Sequence, residues 1–140
     1  MKKTQASLIG GFLATVALLL VVYIENMTGY FAFMSPIFVS AVTGSTMWLS
    51  WLLHLIAGWV FAFIYAYFFI KILSWVKTPW LRGTVYGLLL AVLIEISLYM
   101  TDRDIVTNNL LLSTLGLAIA YMMYGAILGM IVLPENKTEN

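Results

Sequence analysis

Few residues in this chain could do chemistry inside an apolar environment. His54 is the single histidine, and Glu95 is a carboxylate set well inside an apolar run. An imidazole beside a carboxylate could accept a proton or hold a cation. Glu25, at the boundary of an earlier apolar run, is a third candidate. A lone charged side chain deep in a membrane helix costs roughly 2.5–3.5 kcal/mol on insertion scales. Glu95 lies about one and a half turns from the end of its run, so its penalty is smaller, and pairing or protonation lowers it further.

Spacing links the first two residues. One run reads His54, Gly58, Ala62, Ala66 at four-residue intervals, and the next reads Gly83, Gly87, Ala91, Glu95. As antiparallel neighbours in one hairpin register, they pair His54 with Glu95, Gly58 with Ala91, Ala62 with Gly87 and Ala66 with Gly83. The turn then centres on Ser74 and Trp75. Such a row drifts around the helix by roughly 40° per step, so the glycine–alanine contacts are favoured over the terminal pair. With a single histidine and no second buried carboxylate, a polar contact that fixes helix register is favoured over a proton- or cation-binding site.

The elements that must position these residues are membrane spans. The 140 residues are 63% hydrophobic and 9% charged, with a mean hydropathy of +1.00. A soluble domain is nearer half apolar and a quarter charged. Too few charges remain to coat a water-facing surface, which excludes soluble folds, nucleic-acid binders and disordered tails. A net charge of +1 leaves no electrostatic footprint for nucleic acid, and the absence of cysteine removes disulfides, thiolate catalysis and cysteine-ligated metals.

Four apolar runs, about 6–24, 46–73, 80–100 and 106–133, are each long enough to cross a bilayer. The second and fourth run to roughly 40 Å and should tilt or project beyond the hydrocarbon. The runs lack period-two alternation, so helices are predicted rather than a barrel. The first run, after Lys2 and Lys3, is too long for a signal-peptide core and is read as a retained helix. The expected fold is all-α: a single-domain integral membrane four-helix bundle with a polar tail at 134–140.

Lys2, Lys3, Lys71, Lys77, Arg82 and Lys137 fall on one side of this topology, and only Arg103 on the other. Both termini and the 71–82 connection are therefore predicted to be cytoplasmic. Trp48, Trp51, Trp75 and Trp80 stand near span ends, as interfacial aromatics do. The 25–45 connection is mostly apolar from Tyr30 to Val42 yet too short to span. It is read as an interfacial helix starting near Pro36, with a re-entrant segment as the alternative.

Lipid is as apolar as leucine, so spans associate through close backbone approach and polar contacts. Small residues recur at four-residue spacing in every run: Ala6, Gly10, Ala14; Gly58, Ala62, Ala66; Gly83, Gly87, Ala91; Gly125, Gly129. They gather toward the predicted cytoplasmic ends of the first, third and fourth runs. The bundle should therefore be pinched there and wider outside, with 25–45 as a roof. A faint repeat sets His54-x3-Gly58-x3-Ala62 against Tyr121-x3-Gly125-x3-Gly129 and suggests a parallel two-plus-two arrangement.

No catalytic set is legible. One histidine cannot make a two-histidine metal site or bis-histidine haem ligation within one chain, and no phosphate loop is present. No metal and no cofactor is expected. Asp102 and Asp104 flank Arg103 in a short outer turn rather than forming an acid pair. Tyr65, Tyr67, Tyr86, Tyr121 and Tyr124 are mid-span or nearby and are expected to pack, each hydroxyl finding a partner. Met122 and Met123 read as core filler.

Three stretches carry a resemblance. They are Trp51-Leu52-Leu53-His54-Leu55-Ile56-Ala57-Gly58 running on through Phe61 to Ala66, Pro79-Trp80-Leu81-Arg82-Gly83 with Tyr86-Gly87, and Tyr124-Gly125-Ala126-Ile127-Leu128-Gly129. In that order they resemble a group of small four-span bacterial membrane proteins of unknown function, uncharacterised inner-membrane proteins, over roughly residues 5 to 132. Such proteins often carry a second histidine where Tyr121 stands here, which argues against a shared two-histidine site. The resemblance implies a bacterial cytoplasmic membrane and supplies no activity.

The expected role is therefore non-enzymatic: a structural or accessory component packing in the lipid bilayer, as a homo-oligomer or in a larger membrane complex. One alternative is a small oligomeric proton- or cation-linked carrier or channel using His54 and Glu95. Another is a subunit contributing to a cofactor site shared with a partner.

Overall fold

In the computed structural model, residues 2–28, 46–100 and 110–134 are described. The proposed interfacial or re-entrant segment, the Asp102–Arg103–Asp104 turn and nearly all of the polar tail lie outside these residues. Every regular element among the described residues is helical. Four helices are long and apolar enough to cross a membrane, as in a multi-pass membrane protein. They are termed spans 1 to 4: Lys3–Glu25, Trp48–Ile72, Pro79–Ser97 and Leu111–Ile131.

Local chemistry accounts for the helix ends. Span 3 begins on Pro79, whose fixed φ suits a first helical turn and whose missing N–H would have no intrahelical partner there. Span 2 is α-helical over Met47–Ile64, turns π-helical over Tyr65–Phe69 and closes with a last α turn, Ile70–Ile72. The transition begins at Tyr65, whose backbone N–H is shared between the carbonyls of Ala62 and Phe61. It buries Tyr65 and Ala66 while leaving Tyr67 and Phe68 exposed. Some hydroxyls inside the spans bond back to their own helices, as Ser7 does to the Lys3 carbonyl and Thr15 to that of Gly11.

The spans are arranged in the order 3–4–1–2. Span 3 packs most closely on span 4, span 4 on span 1, and span 1 on span 2. Glycine faces glycine in the tightest of these contacts. A β-carbon on Gly83 would strike the Gly125 carbonyl, and one on Gly125 would strike that of Gly83. Gly87 lies against the backbone of Tyr121, and Gly129 against Pro79 and Gly83. Gly10 meets Leu128 and Ile131 of span 4 and Val132 just beyond it, while Gly11 meets Trp59 and Ala62 of span 2. These small-residue contacts gather at the end of the bundle that carries Lys2, Lys3, Lys71, Lys77 and Arg82.

This arrangement corrects the register expected between spans 2 and 3. Gly83 and Gly87 face span 4, not Ala66 and Ala62. Gly58 faces Thr15 of span 1, not Ala91. Ala62 and Ala66 are fully buried, and Ala62 lies against Gly11. The physical reason is that a small-residue stripe accepts any close backbone. Glycine opposite glycine brings two helices nearer than glycine opposite alanine, and so gains more dispersion contact. Spans 2 and 3 meet around Phe61–Phe69 and Tyr86 and pack little beyond that level. In each hairpin, the glycine of the second span (Gly58 or Gly125) faces its own first span. At this one pair of positions the faint repeat thus matches residues in equivalent places.

Candidate functional site

The polar side chains form two groups at different levels. The first is a tyrosine layer in the middle of the bundle. Tyr65, Tyr86 and Tyr124 are almost wholly buried, and Tyr121 nearly so. The Tyr86 hydroxyl donates to the Phe61 carbonyl at 2.8 Å, and the Tyr124 hydroxyl to the Gly58 carbonyl at 2.6 Å. Spans 3 and 4 are thereby each tied to span 2. The Phe61 carbonyl already receives the Tyr65 N–H at the π turn, so its second lone pair serves the tyrosine. Tyr86 also packs its ring on Tyr65 and Phe69, with centroids 5.1 and 4.8 Å apart. Trp59 ties span 2 to span 1 through its Nε1–H, which donates to the Leu8 carbonyl at 3.0 Å. Thr4 and Tyr67 share a hydroxyl bond at 3.1 Å, and the Lys3 ammonium stands 5.0 Å from the centre of the Tyr67 ring.

One tyrosine differs. The Tyr65 hydroxyl is buried and has no hydrogen-bond partner among the described residues. The expectation that every buried tyrosine finds a partner therefore fails at this position. Ser113 in span 4 is likewise buried with an unpartnered hydroxyl.

The second group surrounds Glu95. Its Oε1 accepts a hydrogen bond from the Thr114 hydroxyl at 2.7 Å, across the span 3–span 4 contact. The carboxylate is partly buried in an open groove of about 260 Å³ between these spans. Leu88, Ala91, Val92, Ile96, Leu117 and Ala118 line the rest, so Glu95 and Thr114 carry the groove's polar side chains. Leu88, Val92 and Ile96 are about half exposed, so the groove opens sideways, where lipid would lie.

His54 is not brought to Glu95. It is partly buried in span 2, which packs on span 1, whereas Glu95 faces span 4. Spans 2 and 3 part before the level at which these side chains could meet. Glu25 is partly buried near the end of span 1, where its backbone carbonyl accepts both the N–H and the hydroxyl of Thr28. The three candidate residues therefore do not form one site. No group of three metal-ligating side chains occurs among the described residues.

Sequence reasoning missed Thr114 as the partner of Glu95. The signal was present: the antiparallel register that sets Gly83 opposite Gly125 and Gly87 opposite Tyr121 also brings Glu95 to Thr114. Reading it required knowing that the stripe of span 3 belongs to span 4. Arg82 was read as a marker of orientation and was also missed. It is 6% exposed, and its Nε and Nη2 donate to the Val76 carbonyl at 3.0 and 2.7 Å. That contact folds the connection between spans 2 and 3 back onto the first turn of span 3.

A family model described as a family of unknown function (DUF6789) matches residues 1–137, and the chain belongs to that family. No curated protein and no solved structure matches the chain significantly.

Proposed function

Within a family that carries no assigned role, we propose that this chain is a non-enzymatic, multi-pass component of a bacterial cytoplasmic membrane. It packs there with itself or with a larger complex. The observation that carries this reading is the use made of its polar side chains. Trp59, Tyr86 and Tyr124 each donate to a backbone carbonyl of another span, so their hydrogen bonds hold helices together. The bacterial location rests on the resemblance seen in the sequence. The lysine and arginine distribution supports cytoplasmic termini and a cytoplasmic 71–82 connection.

Native mass spectrometry of the full chain released in mild detergent tests the reading. Several copies, or a defined larger complex, are expected. A partner-free monomer in every mild detergent would overturn it.

A second reading is supported by one observation, the Glu95–Thr114 pair in a laterally open groove. A carboxylate at such a place is a candidate proton or cation site of an oligomeric carrier. The separation of His54 from Glu95 confines that reading to Glu95. In vesicles, Glu95→Gln should then abolish pH-dependent flux; unchanged flux would remove the reading.

A further inference from the structure

Arg82 is a buried cation without a counter-ion among the described residues. The guanidinium has five N–H donors. Two bonds, from Nε and Nη2, go to the single carbonyl of Val76. Nη1 and the second hydrogen of Nη2 have no acceptor among the described residues. The described acids, Glu25 and Glu95, lie toward the opposite end of their spans. Nη1 is not among the buried atoms that lack a partner, so this edge of the guanidinium is not sealed inside the bundle and stays open to an acceptor from outside. A neutral carbonyl offsets only part of the cost of holding a largely buried cation without an opposite charge.

A second, independent observation points to the same place. The Tyr65 hydroxyl, on a residue with no exposed surface, has no partner among the described residues, and the Tyr65 ring packs at 5.1 Å on that of Tyr86, one helical turn along span 3 from Arg82. An unpartnered hydroxyl and a guanidinium with an unused edge, on neighbouring helices around Tyr86, suit an acceptor bearing negative charge and several oxygens. The surroundings suit such an anion. Lys71 and Lys77 are exposed on the same end of the bundle, and Trp75 and Trp80 stand out from it at 72% and 50% exposure. Exposed tryptophans beside lysines mark the headgroup level of a bilayer.

We propose that Arg82 and Tyr65 form a binding site for a phosphate-bearing anion, supplied by the headgroup of an anionic lipid. The planar guanidinium fork matches phosphate oxygens, and Arg82 takes the charge while a small movement of Tyr65 lets its hydroxyl donate to a second oxygen. The site stands apart from the Glu95 groove and does not depend on what the chain packs against. Its occupant would stabilise the fold by neutralising a charge that the bundle leaves open.

The test uses the full chain, delipidated in detergent and then offered phosphatidylglycerol, phosphatidylcholine or inorganic phosphate, with bound ligand read by native mass spectrometry. Phosphatidylglycerol should be retained in preference to phosphatidylcholine. Retention should fall about tenfold or more in Arg82→Gln and about threefold in Tyr65→Phe. Arg82→Lys keeps the charge but loses the fork, so it should also retain less, and it serves if Arg82→Gln does not fold. Lys77→Gln, on an exposed side chain, should change retention little. Arg82-dependent binding of inorganic phosphate without any lipid preference would keep the anion site and reassign its source. Equal phosphatidylglycerol retention by the wild type, Arg82→Lys and Tyr65→Phe would overturn the proposal. So would a melting temperature that falls as far in Glu135→Gln as in Arg82→Gln and ignores added lipid, because a carboxylate of the chain's own tail would then hold the guanidinium.

Discussion

The Thr114 hydroxyl donates to Glu95 Oε1 at 2.7 Å, joining span 3 to span 4 at the level where spans 2 and 3 have parted. This bond gives the carboxylate a partner on its nearest neighbour. It also keeps one polar pair on the wall of a groove that is otherwise apolar.

A double-mutant cycle should therefore find coupling between Glu95 and Thr114 and none between Glu95 and His54. Thr114→Val should cost about 0.6 kcal/mol and at most about 1.7 kcal/mol, the range of hydrogen bonds between membrane helices. The cycle on Thr114→Val and Glu95→Ala should recover a similar coupling, and that on His54→Ala and Glu95→Ala a value near zero. Reversible unfolding in mixed micelles measures both. Coupling larger for His54 than for Thr114 would contradict the observed packing.

The chain contains no cysteine, so engineered pairs can report on the helix contacts directly. The pair Glu95→Cys with Thr114→Cys should cross-link under mild oxidation. The pair His54→Cys with Glu95→Cys should not. Band shifts on a denaturing gel provide the readout, and cross-linking of the second pair alone would restore the register first inferred from the small-residue stripes.

Bulk at the glycine seam should separate spans 3 and 4. A β-carbon on Gly83 or Gly125 would meet the backbone of the facing glycine, which cannot rotate away. Gly83→Val or Gly125→Val should cost about 1–3 kcal/mol or more. At Gly10 the nearest atoms are side-chain methyls at 3.2–3.3 Å, so Gly10→Ala should be milder. Thermal unfolding in detergent ranks the three variants, and equal losses would show that the seam is no tighter than the span 1–span 4 contact.

Removing single phenolic oxygens should separate the tyrosines into two classes. Tyr86→Phe and Tyr124→Phe each delete the donor that ties a span to span 2, and each should lower stability by about 0.6 to 1.7 kcal/mol. Tyr65→Phe deletes an unpartnered buried hydroxyl. In detergent free of anionic lipid it should be neutral or stabilising, because no bond is lost and a desolvated polar group disappears. Equal destabilisation by all three substitutions would show that Tyr65 has a partner in the folded protein.

Much of the architecture was legible without coordinates. The apolar runs around His54 and Glu95 mark spans because the cost of placing backbone and charge in lipid is local, so a window of residues suffices to recognise it. The inward placement of Ala62, Gly83 and Gly125 was also legible, since small residues in a membrane helix are worth most where another backbone approaches. What no spacing could decide was which neighbour each stripe meets. Gly58 with Ala91, and Ala66 with Gly83, fit one another as well, on paper, as Gly58 fits Thr15 or Gly83 fits Gly125. The choice depends on how four helices share one cross-section, and there the closest backbone approach, between Gly83 and Gly125, sets the rest. The same arrangement carried Glu95 to Thr114, brought Tyr86 onto the second lone pair of the Phe61 carbonyl, and closed Arg82 over Val76. Each of these contacts joins residues through three-dimensional neighbours that a one-dimensional period does not encode.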